Sequence, residues 1–284
     1  MIRTDLFIAV LLLSFIFSGQ PLAKDIQEQS REQQIAEKLA QTANADEIIG
    51  LKASGGHFVG LYKSARPSAV SKIKEANGVV ILVHGMGAHP DWPDVISPLR
   101  IHLTDLGWST FSIQMPILSP EESVAEYGKT LVVANSRISA AVEYFHAWDM
   151  EPIILLGYSF GAAQAASYLA SDKPEHVAAF VSVSMLAQKF IKPKLDVFKF
   201  IGGINIPMLD IYGKEDLEDV RRGIDDRRLA ASKNSNYAFQ QIELQRAGHN
   251  YLGTEKALVE QIQHWLHQTL PVIDGSREND EISQ

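Results

Sequence analysis

The sequence predicts an α/β fold: a mostly parallel, twisted sheet with helices on both faces. Three observations predict it. Short aliphatic runs alternate with longer segments of helical period along most of the chain. Residues 79–83, Val-Val-Ile-Leu-Val, form an unbroken apolar run of the kind a strand buried on both faces requires. The 284 residues, 46% hydrophobic, are enough to enclose one large core, and no internal repeat divides them.

Taken in order, residues 47–53 and 57–64 flank Gly55-Gly56 and read as an antiparallel hairpin. Residues 79–83 follow as a buried strand. Ser97 and Pro98 read as the cap and first position of a helix carrying Leu99, Leu103 and Leu106, which Gly107 ends. Residues 108–113 return as a strand. A long amphipathic helix is expected over 121–148, with Val124, Leu131, Ile138, Val142 and Phe145 on one side. Strand 153–156, helix 161–170, strands 177–183, 207–212 and 239–244, and a closing helix over 255–266 complete the pattern. Repeated strand–helix–strand crossovers imply parallel pairing, and such sheets bind ligands beyond the carboxyl ends of their strands. The chemistry is therefore expected directly after strands.

The ends differ from this body, which is expected to span 47–271. Arg3 precedes an apolar run over 6–17, and Ser18, Gly19 and Pro21 follow. The run has the length of a signal-peptide core and is short for a membrane span. Residues 1–23 are thus expected to direct export to the periplasm, with cleavage after Ala23 or retention as an inner-membrane tether as alternatives. Residues 24–46 are rich in Gln, Glu and Ala, with a thin stripe of Ile26, Ile35 and Leu39. They read as a helical or loosely ordered polar spacer whose default is a solvated face. Residues 272–284 are polar and expected to be disordered.

Charge and composition narrow the function. A net charge of -8 argues against a nucleic-acid partner, and the absence of cysteine excludes disulfides, a thiolate nucleophile and cysteine-ligated metal.

The sharpest motif is Gly157-Tyr158-Ser159-Phe160-Gly161, between the strand ending at Leu156 and a helix rich in Ala162, Ala163 and Ala166. A tight strand-to-helix turn raises its central side chain above the sheet, and the flanking glycines let strand and helix approach. The helix aims its amino-terminal amides and positive dipole end at the same spot.

On this motif, and on its order of elements over 78–266, the chain resembles the α/β-hydrolase superfamily. The segment 83–93, Val-His-Gly-Met-Gly-Ala-His-Pro-Asp-Trp-Pro, also resembles a family of uncharacterised exported proteobacterial hydrolase-like proteins. The superfamily resemblance implies an α/β-hydrolase fold with a short cap region and an oxyanion hole made by the backbone N–H groups of Met86 and Phe160. Losing one such donor typically costs about 3 kcal/mol of barrier. His84 is expected to orient the turn, and His89 reads as a surface loop histidine, with a place at the pocket mouth as its alternative.

The resemblance also places the triad acid after a late strand. The segment Gly213-Lys214-Glu215-Asp216 fits with Asp216; Glu215, Glu218 and Asp219 compete, and Asp210 is less favoured inside the strand. Of nine histidines, His249 alone occupies the loop after the final strand, and the order Ser159, Asp216, His249 is the one this fold uses. The expected chemistry is acyl transfer to Ser159 and then to water, on a small-molecule ester or thioester.

Residues 184–206 are too few for a large lid. Lys189, Lys192, Lys194 and Lys199 interleave there with Phe190, Ile191, Leu195, Phe198 and Phe200. That stretch reads either as a cap helix with solvated lysines or as a contact for an anionic lipid surface. Met115 to Leu118 is a candidate pocket lining. No close metal-ligand spacing is legible, and no cofactor is expected. Two other readings stay open: an acyltransferase using the same triad, and a non-catalytic envelope binding or assembly protein.

Overall fold

The computed structural model describes residues 23–66, 76–171, 175–187, 189–190, 195–233 and 238–270. The expected targeting segment, save Ala23, and the polar tail lie outside the described residues.

The chain opens with helix α1 (Ala23–Thr42) and a short turn, then the hairpin β1 (Ile48–Ala53) and β2 (Gly56–Lys63). Strand β3 (Val79–Val83) leads to α2 (Ile96–Asp105) and β4 (Ser109–Ile113). Helices α3 (Val124–Gly128) and α4 (Leu131–His146) precede β5 (Ile153–Tyr158), α5 (Phe160–Ser171) and β6 (Val177–Val183). A two-strand ribbon, β7 (Lys189–Phe190) and β8 (Leu195–Asp196), runs into α6 (Val197–Ile201). Then follow β9 (Met208–Glu215), α7 (Glu218–Arg221), α8 (Ile224–Ser232), β10 (Phe239–Gly248) and α9 (Glu255–Thr269).

Eight strands form one sheet in the order β1-β2-β4-β3-β5-β6-β9-β10. The pairs β1–β2 and β2–β4 are antiparallel, and all others are parallel. Alternate residues of the central strands face opposite layers. Val79, Ile81, Val83, Ile153, Leu155 and Phe180 pack with α4 and α5, where Ala134, Ile138, Ala162 and Ala166 allow close approach. Val80, Leu82, Ile154, Leu156 and Val181 pack with Leu99 and Leu103 of α2 and with Leu258, Ile262 and Trp265 of α9. Every residue of β3 is fully buried, as its composition requires.

Two local expectations are corrected. Helix α2 begins before Ser97, with Val95 at the cap position and no side-chain cap bond. The Ser97 amide donates instead to Trp92 O at 2.8 Å. Pro98 still sits in the first turn, where its missing N–H costs nothing. The long helix over 121–148 is broken in two. Ser123 caps α3 by accepting from Glu126 N, and Gly128, a poor helix former, ends it. The break leaves Tyr127 buried, its hydroxyl receiving Leu118 N–H at 3.0 Å and its ring edge-on to Phe160.

The polar spacer is a helix with one face engaged rather than fully solvated. Glu32 binds the buried Arg137 guanidinium at 2.9 Å and accepts Ile117 N–H at 3.0 Å. Gln114 donates to Glu32 O at 3.1 Å, Arg31 donates to Leu118 O, and Leu39 is buried. In the cap, Leu195, Val197 and Ile201 are buried, while Phe198 and Phe200 pack on the core. Lys189 stays in solvent beside Asp196. This is the inward-packed arrangement; Ile191, Lys192 and Lys194 lie outside the described residues.

Candidate active site

The turn from β5 into α5 holds Ser159 in the left-handed region at φ 56°, a conformation non-glycine residues rarely adopt. Close packing enforces it. A Cβ on Gly161 would stand 2.3 Å from Val83 O, and one on Gly157 would stand 2.5 Å from Ala162 Cα. Both glycines are therefore required for α5 to begin against the end of β3. The Ser159 amide donates to Val183 O at 2.8 Å, pinning the turn to β6.

His249 arrives from the far edge of the sheet. Leu244 pairs with Gly213 and Gly248 pairs with Glu215, so four steps along β10 oppose two along β9. This bulge, with Arg246 at φ 61°, bends the strand end and redirects the loop that follows. His249 Nε2 lies 3.1 Å from Ser159 Oγ, and Nδ1 lies 2.7 Å from Asp216 Oδ1. Tyr158, whose hydroxyl burial keeps protonated, donates to the His249 carbonyl at 3.1 Å and flanks the imidazole.

Asp216 is 3% exposed. Its Oδ1 accepts Leu217 N–H at 2.8 Å, and its Oδ2 accepts Gly213 N–H at 3.2 Å and the Ser184 hydroxyl. Burial alone would raise its pKa, but the bonds from His249, Ser184 and the backbone outweigh burial and hold the carboxyl below its ordinary value. Of the competing acids, Glu218 and Asp219 point to Arg222 on the surface. Glu215 is exposed. Asp210 is fully buried and paired with Arg227 at 2.8 Å, with Ser182 and Gln241 as further partners.

The turn after β3 lies against the serine: a Cβ on Gly85 would stand 3.2 Å from Ser159 Cβ. Met86 follows directly, which brings its backbone into the same neighbourhood. Phe160 opens α5, so its N–H has no acceptor within its own helix. His84 clamps this turn. Its Nε2 accepts Met115 N–H at 3.0 Å, which leaves Nδ1–H to donate to Gly85 O at 2.9 Å. Burial lowers its pKa to about 4, keeping it neutral. The 114–118 segment that binds His84 is the one α1 grips, so α1, this segment, His84 and the Gly85 turn form one chain of contacts. His89 is half-buried against Trp92 and accepts Asp91 N–H.

Sequence reasoning missed three neighbours of this site. Ser184, at φ 52° just past β6, and Tyr251, fully buried with its hydroxyl 2.8 Å from Ser184 Oγ, hold the outer side of Asp216. Tyr158 is the third. Each lies next to a motif residue or a strand end, but nothing in its type marks a role. No close metal-ligand spacing is legible in the sequence, but the fold brings His146 and Glu151, from the α4–β5 connection, together with His176 at the amino-terminal ends of β5 and β6. No other such group exists among the described residues.

Sheet order, the sharp turn at Ser159 and the helices on both faces define the α/β-hydrolase fold. Solved structures agree. An α/β serine hydrolase without lid from Xanthomonas campestris superposes with a TM-score of 0.61 at 16% identity, covering 80% of this chain and 96% of that one. A dienelactone hydrolase from Anabaena variabilis gives 0.61 at 18% identity, covering 79% and 97%. Est1E from Butyrivibrio proteoclasticus, solved with bound ferulic acid, gives 0.60 at 16%, covering 78% and 98%. A comparison with curated protein sequences finds no match. The chain belongs to the family described as Protein of unknown function (DUF3530), whose model matches residues 18–129 and 118–268.

Proposed function

We propose that the protein is a serine hydrolase that cleaves a carboxylic ester or thioester through an acyl-enzyme on Ser159. The observation that carries this reading is the unbroken hydrogen-bonded run from Ser159 Oγ through both nitrogens of His249 to Asp216. His249 takes the serine proton as Oγ attacks the acyl carbon and returns it to the departing alkoxide or thiolate. A water, deprotonated by the same imidazole, then attacks the acyl carbon; the Oγ–acyl bond breaks, the imidazolium returns the proton to Ser159 Oγ, and the acid leaves. Asp216 fixes the tautomer with Nε2 unprotonated and stabilises the imidazolium. Met86 and Phe160 amides receive the charge on the tetrahedral oxygen.

An apolar acyl or alkyl group suits the surroundings. Among the described residues, six large apolar side chains are exposed, and three of them, Met86, Leu217 and Leu252, sit on the loops that carry the oxyanion turn, the acid and the base. With so short a cap, these side chains form the rim that a substrate meets. The esterase and serine-hydrolase likenesses support the reading at the level of fold. Export through residues 1–23 to the periplasm, with a cleaved or tethering segment, is part of the proposal. It rests on the apolar run and is tested by cell fractionation with and without that segment. No helix among the described residues is long and apolar enough to cross a membrane.

A fluorophosphonate probe tests the central claim. The wild type should be labelled stoichiometrically and Ser159→Ala should not. Labelling that survives the substitution, or a folded wild type that resists the probe, sinks the proposal.

A further inference from the structure

Far from Ser159, at the opposite end of the same strands, three potential ligands converge. His146 ends α4, Glu151 precedes β5, and His176 precedes β6. One ligand atom from each lies within 4.8 Å of the others. The two imidazoles stack almost in parallel, with centroids 3.5 Å apart and planes inclined by 15°. Both present Nδ1 to one carboxylate oxygen. His146 Nδ1 is 2.7 Å from Glu151 Oε1, a hydrogen bond, and His176 Nδ1 is 3.9 Å from the same atom. The second separation exceeds hydrogen-bond range, so pairing with Glu151 accounts for His146 but not for the aim of His176.

We propose that His146, Glu151 and His176 form a site for a borderline divalent cation of the Zn2+ type, with water completing a tetrahedron. Metal–ligand bonds near 2.0–2.1 Å set the edge of such a tetrahedron at roughly 3.3 Å. The observed 2.7 and 3.9 Å bracket that length, but an ion lies in the plane of each imidazole it binds, so the two rings must turn out of their parallel stack to share it. Two imidazoles and one carboxylate favour Zn2+ and its neighbours over Mg2+ or Ca2+, which demand oxygen. The side chains are 43%, 49% and 26% exposed for His146, Glu151 and His176, so solvent delivers the ion and fills the fourth position. Beside them runs a groove of about 630 Å³ lined by Glu143, Glu175 and His176, whose carboxylates add a negative field that draws a cation.

The bound ion would tie the end of α4 to the starts of two central strands. It takes no part in the chemistry proposed at Ser159. The test uses protein without a polyhistidine tag. Calorimetric titration with Zn2+ should show one equivalent bound, and Co2+ should develop the visible absorption of a tetrahedral centre. His146→Ala, His176→Ala and Glu151→Gln each delete a direct ligand and should each remove saturable binding at micromolar Zn2+. His264→Ala, at a histidine away from the cluster, should leave it unchanged. The ion should also raise the melting temperature of the wild type and not of the variants. Should a variant fail to fold, anomalous scattering at the zinc edge from wild-type crystals gives the answer directly. Absence of saturable binding at micromolar Zn2+, undiminished binding in the two histidine variants, or an anomalous peak elsewhere overturns the site.

Discussion

The Ser184 hydroxyl donates to Oδ2 of Asp216 while Oδ1 of the same carboxylate faces His249 Nδ1 at 2.7 Å. One serine thus anchors the side of the acid that the imidazole does not touch. Replacing it with alanine removes a bond to a buried charge, worth about 2 kcal/mol. Asp216 titrates below its ordinary 3.8 in the fold, so its stabilisation is complete above that value and fades as pH falls through the depressed one. Ser184→Ala should therefore be less stable at neutral pH, and the gap should close below about pH 4. Urea unfolding across pH checks this; a gap independent of pH contradicts it.

The two buried aspartates should separate cleanly. Asp216→Asn and His249→Ala should fold and lose about 10⁴-fold in ester turnover, because one loses the carboxylate that fixes the tautomer and the other the imidazole that carries the proton. Asp210→Ala leaves Arg227, fully buried, without its counter-charge and should cost about 3–5 kcal/mol of stability. Its folded fraction should still react with the fluorophosphonate. Denaturation midpoints and active-site titration measured together decide between the roles.

His84 makes stability depend on mild acid. Its folded pKa of about 4 lies below its ordinary 6.5, so the unfolded chain binds the proton more readily between those values. Stability should fall as pH drops through this window, by about 1.4 kcal/mol per unit at most and about 3 kcal/mol in all from this residue. His84→Gln should lack that component. Parallel slopes for the two proteins would show that the clamp does not set them.

The apolar rim should sort substrates. Met86→Ser, Leu217→Ser and Leu252→Ser each remove part of a contact surface worth about 1 kcal/mol. Each should lower kcat/KM for long-acyl p-nitrophenyl esters about five-fold and leave the acetate ester unchanged. Equal losses on both would mean that the rim supports the loops instead of the substrate.

Much of the fold was legible because its signals are local. Residues 79–83, 153–156 and 177–183 declare buried strands by composition, and the serine turn, the acid loop and the base loop each follow such a strand. The misreadings came where a local pattern had two solutions. Val124 and Leu131 keep helical phase across Gly128, which hides the break, while the cap signature of Ser123 and Glu126 marks only where the first helix begins. Contacts between distant segments left no trace: Glu32 with Arg137, Asp210 with Arg227, Ser184 with Asp216, and the stacked His146 and His176. Each needs the sheet order before its partners can be known.

Helix α1 has a practical consequence for anyone preparing the protein. Trimming the chain to begin at the hairpin would look like the removal of a dispensable leader. It would strip Arg137 of its carboxylate and remove the α1 partners of Ile117, Gln114 and Leu118. The slackened segment is the one that supports His84 beneath the Gly85 turn. A sluggish shortened protein would then report the missing brace and say little about whether the full-length molecule turns over esters.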